Sequence, residues 1–388
     1  MDSKLWWILV ILILIPEHGE SKRRILEQEE CNPEDLKGLT SFKAGIQLDT
    51  SNRLETWVGG NCCKWVGVSC DSSTGRVAEL ILTVRSTLSG TIPSSIGFDL
   101  PNLRILRLYE NNLTGPIPES IGKLSRLDEI DLHQNFFSES IPASIGNLLN
   151  LTSIYLYSNR LSGSIPEFLT KKNLLHLDLH ENSLTGHIPE MIGSLQKLKQ
   201  LDLSNNLLSG KLPLSITNLT LIEVLVLDNN LLEGEIPFPS RSSEMPLLSF
   251  LTLSDNHLTG SISSNIGNLI SLRMATLANN RLEGSIPSTV GNLSALTYFK
   301  LDRNSLSGQI PKSIGQIFQI LVLNISNNLL EGPLPIEMSS LVSLQQLDLS
   351  NNNLTGETPR HGYLSYFPKS SFSGNRGLCG KPLPPCKF

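Results

Sequence analysis

The stretch LRILRLYENNLTGPIPESIGKLSRL, residues 103–127, contains one complete unit of the motif that organises this chain. Its frame, LxxLxLxxNxLxGxIP, recurs toward the C-terminus at intervals of 23 to 26 residues. The asparagine of the frame stands in register at eleven positions: Asn111, Asn135, Asn159, Asn182, Asn206, Asn230, Asn256, Asn280, Asn304, Asn328 and Asn352. Residues 77–93 form a leading unit that lacks the asparagine. This period and this leucine pattern indicate a solenoid of stacked repeats.

The physical chemistry of one unit explains the frame. The last two leucines of LxxLxL alternate along one short strand, so both point inward, and strands of successive coils pair in parallel. The asparagine amide both donates and accepts hydrogen bonds, so it can satisfy backbone groups where the chain leaves the strand. Glycine permits the sharp turn before the proline. The sequence therefore predicts an α/β leucine-rich repeat solenoid of about twelve repeats, residues 77–366, with a parallel sheet on its concave side.

Residues 1–21 are predicted to be a secretory signal peptide. Lys4 precedes an apolar run from Leu5 to Ile15, which is shorter than the roughly 20 residues that a membrane span needs. Cleavage after Ser21 leaves small residues at the expected positions, although an uncleaved signal anchor is an open alternative. The mature chain is expected to be extracellular and to contain no membrane span. Its net charge of −5 argues against a nucleic-acid partner.

The segments that flank the array, residues 22–76 and 367–388, are predicted to cap the open ends of the solenoid. Asn32 and Pro33 are typical of a helix start. The six cysteines all lie in these segments: Cys31, Cys62, Cys63, Cys70, Cys379 and Cys386. An even number behind a secretion signal favours disulfides, and a zinc site at the four N-terminal cysteines is the competing interpretation.

The repeat frame, its continuation GxIPxxIGxL and the stretch LETWVGGNCCKWVGVSC, residues 54–70, together resemble one protein family. It is the plant-specific class of extracellular leucine-rich repeat proteins, which includes receptor-like proteins, receptor-kinase ectodomains and polygalacturonase-inhibiting proteins. The resemblance implies the disulfides Cys31–Cys62, Cys63–Cys70 and Cys379–Cys386. Three units depart from the frame, with Glu139 in place of glycine, Ser263 in place of proline and Thr358 in place of isoleucine.

Candidate ligand-binding residues come from the strand positions that point to the concave solvent side, between and beside the inward leucines. In the N-terminal coils these positions are rich in Tyr, His and Asp, which are residues that interfaces use as anchors and polar contacts. The candidates are Arg107, Tyr109, Asp131, His133, Tyr155, Tyr157, His176, Asp178, His180 and Asp202. A solvated face of freely varying residues is the alternative. A second, weaker candidate patch is Phe250, Met274 and Tyr298, beside Lys300 and Arg303.

Three of the candidates, His176, Asp178 and His180, alternate on one strand and share a face. Such a set can hold a metal, and Asp131 and Asp202 beside it invite an acid–base interpretation. An open, wet sheet seldom provides the burial that tunes catalytic groups, and the sequence contains no nucleophile motif, phosphate loop or HExxH. We therefore predict no metal, no cofactor and no enzymatic activity.

Six sequons accord with secretion: Asn112, Asn150, Asn218, Asn292, Asn324 and Asn353. Three functions stay open. The chain is expected to recognise a protein or peptide ligand in defence or developmental signalling, together with a membrane receptor kinase. Alternatively it inhibits microbial cell-wall hydrolases at the cell wall, or it is an anchorless ectodomain-like fragment without activity of its own.

Overall fold

The structure is a computed structural model that describes residues 31–83, 87–167, 173–360 and 362–386. The predicted signal peptide lies outside these residues. None of the helices in the described ranges has the length and apolar character needed to span a bilayer.

The N-terminal end of the solenoid is covered by helix α1, Pro33–Gly45. The Asn32 side chain accepts a hydrogen bond from the backbone N–H of Glu34, which confirms the predicted helix start. The helix carboxylate Asp35 is fully buried and forms an ion pair with Arg76 at 2.8 Å. Trp57 and Trp65 stack beneath the helix with ring centroids 5.2 Å apart. Because an uncompensated charge would be costly here, the Asp35–Arg76 pair fixes how the cap sits on the first coil.

The concave face is one sheet of thirteen strands, parallel except at its first pair, Val68–Cys70 with Val77–Ile81. Each coil contributes one strand, and the strands of successive coils pair in register. This confirms the parallel sheet that the frame predicts. The strands are β2 (Val68–Cys70), β3 (Val77–Ile81), β5 (Ile105–Arg107), β7 (Glu129–Asp131), β9 (Ser153–Tyr155), β11 (His176–Asp178), β13 (Gln200–Asp202), β15 (Val224–Val226), β17 (Phe250–Thr252), β19 (Met274–Thr276), β21 (Tyr298–Lys300), β23 (Val322–Asn324) and β25 (Gln346–Asp348).

Two further sheets run along one flank of the solenoid, and the repeat frame did not predict them. Apart from a strand of the N-terminal cap, most of their strands come from the segment that follows an in-register asparagine, where one apolar residue, usually leucine, points inward. The nine-stranded sheet comprises β1 (Ile46–Asp49), β4 (Leu88–Gly90), β6 (Asn112–Pro116), β8 (Phe136–Ser140), β10 (Arg160–Ser164), β12 (Ser183–Gly186), β14 (Leu207–Lys211), β16 (Leu231–Gly234) and β18 (His257–Leu258). The five-stranded sheet comprises β20 (Glu283–Gly284), β22 (Ser305–Gln309), β24 (Leu329–Gly332), β26 (Asn353–Glu357) and β27 (Gly377–Cys379).

Short helices return the chain along the convex side of the coils. The first is a four-residue α-helix, α2 (Ile96–Asp99), and the rest are 3₁₀ helices. They span Glu119–Lys123, Ala143–Asn147, Glu190–Ser194, Leu214–Asn218, Ser264–Asn268, Ser288–Asn292, Lys312–Gln316 and Ile336–Ser340, with four more in the caps at Arg53–Thr56, Cys62–Lys64, Tyr363–Tyr366 and Lys369–Phe372. The coil between β16 and β17 gains two residues and has no such helix; Phe238 and Met245 are buried there instead.

The in-register asparagines form a continuous ladder inside the coils, in the role that the frame predicts. In one rung, the Asn206 amide donates to the carbonyl of Leu179 in the preceding coil at 3.0 Å and accepts from the N–H of Leu184 at 2.9 Å. The ladder extends one rung further than the frame, because Asn375 in the C-terminal cap bonds Leu349 and Leu354 in the same way. Each rung therefore ties two coils together through buried backbone groups.

One unit of the array lacks the turn glycine. Glu139, at the position that glycine holds in the other units, adopts a φ of +66°, so this coil carries backbone strain that glycine avoids elsewhere.

The structure contains the disulfides Cys31–Cys62, Cys63–Cys70 and Cys379–Cys386, which confirms the pairing that the family resemblance implies.

Candidate functional site

Four aromatic rings stack across four successive coils on the concave face. Tyr109, His133, Tyr157 and His180 each lie just beyond the end of a concave strand, at equivalent positions of their repeats. Neighbouring ring centroids are 4.5, 4.2 and 4.5 Å apart, and the ring planes are within 12° of parallel. Because parallel strands are about 4.8 Å apart, equivalent side chains fall at the spacing of stacked rings. We call these four residues the ring stack.

The two histidines of the ring stack are held by carboxylates beneath them. Asp131 Oδ1 lies 2.6 Å from His133 Nδ1, and Asp178 Oδ1 lies 2.7 Å from His180 Nδ1. Each aspartate precedes its histidine by two residues, so strand alternation places both on one face. Asp131 and Asp178 are only 7% and 6% exposed. Sequence analysis placed them among the ligand contacts, whereas the structure makes them supports that orient the imidazoles.

The environment of the ring stack shifts the pKa of two of its members, His180 and Tyr157. The hydrogen bond that His180 donates to Asp178 raises the pKa of His180 above its ordinary value, which favours the charged imidazolium. Burial raises the pKa of Tyr157 to about 12, so its phenol is neutral and free to donate a hydrogen bond. The ring stack therefore presents polar ring edges, while the ring faces cover one another.

The remaining N-terminal candidates lie beside the ring stack on the strands themselves. Arg107 is paired with Glu129 through two contacts of 2.5 and 2.8 Å. Tyr155 and His176 lie diagonally across neighbouring strands, with ring centroids 6.2 Å apart. Burial lowers the pKa of His176, so this imidazole is neutral near pH 7. Arg107, Tyr155 and His176 border the ring stack on its sheet side.

The group of possible metal ligands in the structure differs by one residue from the set that the sequence indicated, because it contains Asp202 in place of His176. Ligand atoms of Asp178, His180 and Asp202 lie within 4.8 Å of one another. His176 is not in this group, because its Nδ1 faces the Ser153 hydroxyl at 3.3 Å. Alternation along one strand places His176 on the same face, but Asp202 comes closer because it is paired with Asp178 on the neighbouring strand. His180 Nδ1 is already engaged by Asp178, so the group is a hydrogen-bonded dyad with a carboxylate beside it.

Farther along, the concave face changes from polar to apolar. Val224, Phe250, Met274, Tyr298 and Val322 are directly paired across five adjacent strands. Phe250 and Tyr298 are 40% and 36% exposed, whereas Val322 is buried. The second candidate patch is thus part of a longer row of residues that runs across neighbouring strands. Lys300 follows Tyr298 by two residues on the same strand.

The sequons fall into two groups by accessibility. Asn150, Asn218, Asn292 and Asn353 are exposed, and Asn112 and Asn324 are half-buried. On the concave face, the Asn324 amide oxygen accepts hydrogen bonds from the Ser326 N–H at 3.1 Å and the Ser326 hydroxyl at 2.8 Å. The glycosylation of each sequon stays a prediction.

Comparison with known proteins accords with this architecture. A model described as leucine rich repeat N-terminal domain matches residues 32–71. Leucine rich repeat models match residues 149–208 and, as single segments, residues 102–124, 126–148, 247–269 and 343–361.

Plant proteins are among the relatives of this chain. The chain is 41% identical over 106 residues to a polygalacturonase inhibitor of Vitis vinifera, covering 27% of this chain and 31% of that protein. It is 36% identical over 103 residues to phytosulfokine receptor 1 of Arabidopsis thaliana, covering 26% of this chain and 10% of that protein. The chain thus spans less than a third of either relative. The crystal structure of PEPR1-AtPEP1 superposes with a TM-score of 0.75 at 33% identity, covering 84% of this chain and 50% of that one.

Proposed function

Because the chain is a leucine-rich repeat protein of the plant extracellular class, we propose that it recognises a protein or peptide ligand on the N-terminal coils of its concave face. The observation that carries this proposal is the ring stack, four aligned rings on a solvent-facing sheet with their histidines fixed by buried carboxylates. Ordering four large side chains in the absence of a partner costs conformational entropy. A prearranged row of aromatic and hydrogen-bonding edges lowers the same cost when a ligand binds.

The surroundings of the ring stack favour a protein or peptide over a small molecule. The concave sheet is long and open, and it offers aligned polar edges instead of an enclosed cavity. Tyrosine and histidine provide apolar area with one polar end, which suits partly hydrated protein interfaces. The ligand therefore lies across several coils.

Secretion is part of the same proposal. Three disulfides are typical of chains that mature in an oxidising compartment. The predicted signal peptide and the sequons agree with an apoplastic or cell-surface location. At that location the ligand-bound chain acts with a membrane receptor kinase in signalling.

Inhibition of microbial cell-wall hydrolases is the second candidate. The identity to a polygalacturonase inhibitor of Vitis vinifera favours it specifically. Both candidates are binding functions without catalysis by this chain, and they differ in the partner that is captured.

The test is affinity capture with matched variants. The tagged mature protein is exposed to plant wall extracts and to microbial culture filtrates, beside a Tyr109→Ala/Tyr157→Ala variant and a Tyr363→Ala/Tyr366→Ala control. The control tyrosines are 49% and 83% exposed but lie near the C-terminal cap. We expect a partner that the wild type and the control retain and the ring-stack variant loses. A receptor kinase or its peptide supports signalling, and a hydrolase supports inhibition. Equal capture by all three proteins contradicts the proposed site.

A further inference from the structure

The centre of the concave face is a smooth apolar area that no other part of the described chain covers. Val224, Phe250 and Met274 are paired across β15, β17 and β19. The next outward position of the same strands holds Val226, Thr252 and Thr276, which are also paired with one another. We call these six residues the central track. Its side chains are short apart from Phe250 and Met274, so bulky side chains of a ligand have room beside them.

Two carboxylates border the central track on the side of the ring stack. Asp202 is paired with Val226 on the adjacent strand, and Asp228 follows Val226 by two residues. Asp202 accepts hydrogen bonds from Ser204, and Asp228 accepts one from the Ser254 N–H at 2.6 Å. Among the residues that the structure describes, no lysine or arginine forms an ion pair with either, and His180 Nδ1 lies 3.9 Å from Asp202 Oδ2.

Burial makes these two negative charges costly in the free protein. Desolvation is the main reason that the pKa of each carboxyl lies above its ordinary value. A cation brought by a ligand would relieve this cost and gain a partly desolvated ion pair.

Strand geometry relates the carboxylates to the track. Parallel strands are about 4.8 Å apart, and alternate residues of an extended peptide are about 6.7 Å apart on one side. A side chain placed midway between β13 and β15 lies about 7 Å from β17 and about 12 Å from β19. The second and fourth residues onward from it therefore reach Thr252 and Thr276 of the central track, and Phe250 and Met274 lie two residues earlier on the same strands.

From this geometry we infer that the ligand contributes an extended segment with a lysine or arginine beside Asp202 and Asp228, and apolar side chains two and four residues away on the central track. The occupant is a partner's peptide segment of the pattern basic–x–apolar–x–apolar, in either chain direction. The inference rests on the proposed function: it extends the ligand from the ring stack onto the central coils and specifies the chemistry of that part of the ligand.

The test uses a displayed library of random twelve-residue peptides selected on the biotinylated mature protein. We expect enrichment of the pattern over the unselected library. Binding of the selected peptides should weaken about tenfold or more in an Asp202→Asn/Asp228→Asn variant, which keeps the acceptor oxygens but loses the charges. It should weaken similarly in a Phe250→Ala/Met274→Ala variant. The Tyr363→Ala/Tyr366→Ala protein is the control, and thermal unfolding of each variant verifies its fold.

The outcomes separate this inference from the proposed function. Peptides that lose binding to the Tyr109→Ala/Tyr157→Ala variant but lack the pattern, or that bind the Asp202→Asn/Asp228→Asn variant unchanged, overturn the inference and leave concave recognition standing. Peptides that bind every concave variant as tightly as the wild type overturn both, as does a selection that enriches nothing.

Discussion

Replacement of Asn328 by alanine tests the asparagine ladder, on which the stacking of the coils depends. Asn328 is 6% exposed, and its amide donates to the Leu301 carbonyl of the preceding coil at 3.0 Å. It also accepts from the Leu306 N–H at 2.9 Å. Alanine leaves this carbonyl and this N–H buried without those partners, and each such group costs about 1–3 kcal/mol. We therefore expect a loss of about 3 kcal/mol in the free energy of unfolding.

The assay is urea unfolding followed by circular dichroism, with Gln319→Ala as the control. Gln319 is an exposed amide of the same region, so its replacement should change stability by no more than about 0.5 kcal/mol. A total stability of about 5–15 kcal/mol makes a loss of about 3 kcal/mol easy to resolve. A change below about 1 kcal/mol for Asn328→Ala would show that water or a shifted backbone replaces the amide, and the ladder would not be the tie between coils.

Three further predictions concern charge, cross-links and glycans. Because the pKa of His180 is raised in the folded state, the stabilisation from its charge is complete below the unfolded pKa of 6.5 and is lost as pH rises from there through the folded-state pKa. The melting temperature of the wild type should fall over this pH range. A His180→Phe protein that shows the same fall would exclude His180 as its source. Removing Cys31–Cys62, with a separation of 31 residues, should destabilise the protein more than removing Cys63–Cys70, with a separation of 7. The difference expected from loop size is about 1 kcal/mol, and an equal or reversed order in denaturant titrations counts against it. Glycopeptide mass spectrometry of protein from a plant host should find Asn324 occupied, which would shield coils at the C-terminal end of the concave face from ligands, whereas bare Asn324 beside glycosylated Asn112 and Asn218 removes that shielding.

The sequence was sufficient for the repeat fold because each residue of the frame has one dominant physical role. The frame predicts that each asparagine side chain satisfies backbone groups where the chain leaves the strand, and Asn206 does so. The two flank sheets were missed because their strands are short and their pattern overlaps the turn signals of the frame. Asn375 was missed because the leucines around it no longer follow the repeat.

For the site, strand alternation predicted which face each side chain occupies but not how exposed it is. Asp131 and Asp178 point to the concave side, yet the histidines two residues onward cover them. Periodicity along a strand also says nothing about neighbours on adjacent strands, which is why His176 was considered beside Asp178 and His180 although Asp202 lies closer. Aligning the repeats places Tyr109, His133, Tyr157 and His180 at one repeat position, but it does not give the ring orientations that stack them.

The most direct test of concave recognition is the affinity of the captured partner for a Tyr155→Ala/Tyr157→Ala protein, measured by isothermal titration calorimetry. Tyr157 lies between two histidines in the ring stack, and Tyr155 lies beside His176 on the adjacent strand. If these side chains are anchors, the double variant should bind at least about 2 kcal/mol more weakly, while Tyr363→Ala/Tyr366→Ala binds as the wild type does. Unchanged affinity of a double variant that melts at the wild-type temperature would contradict the account and place the site elsewhere.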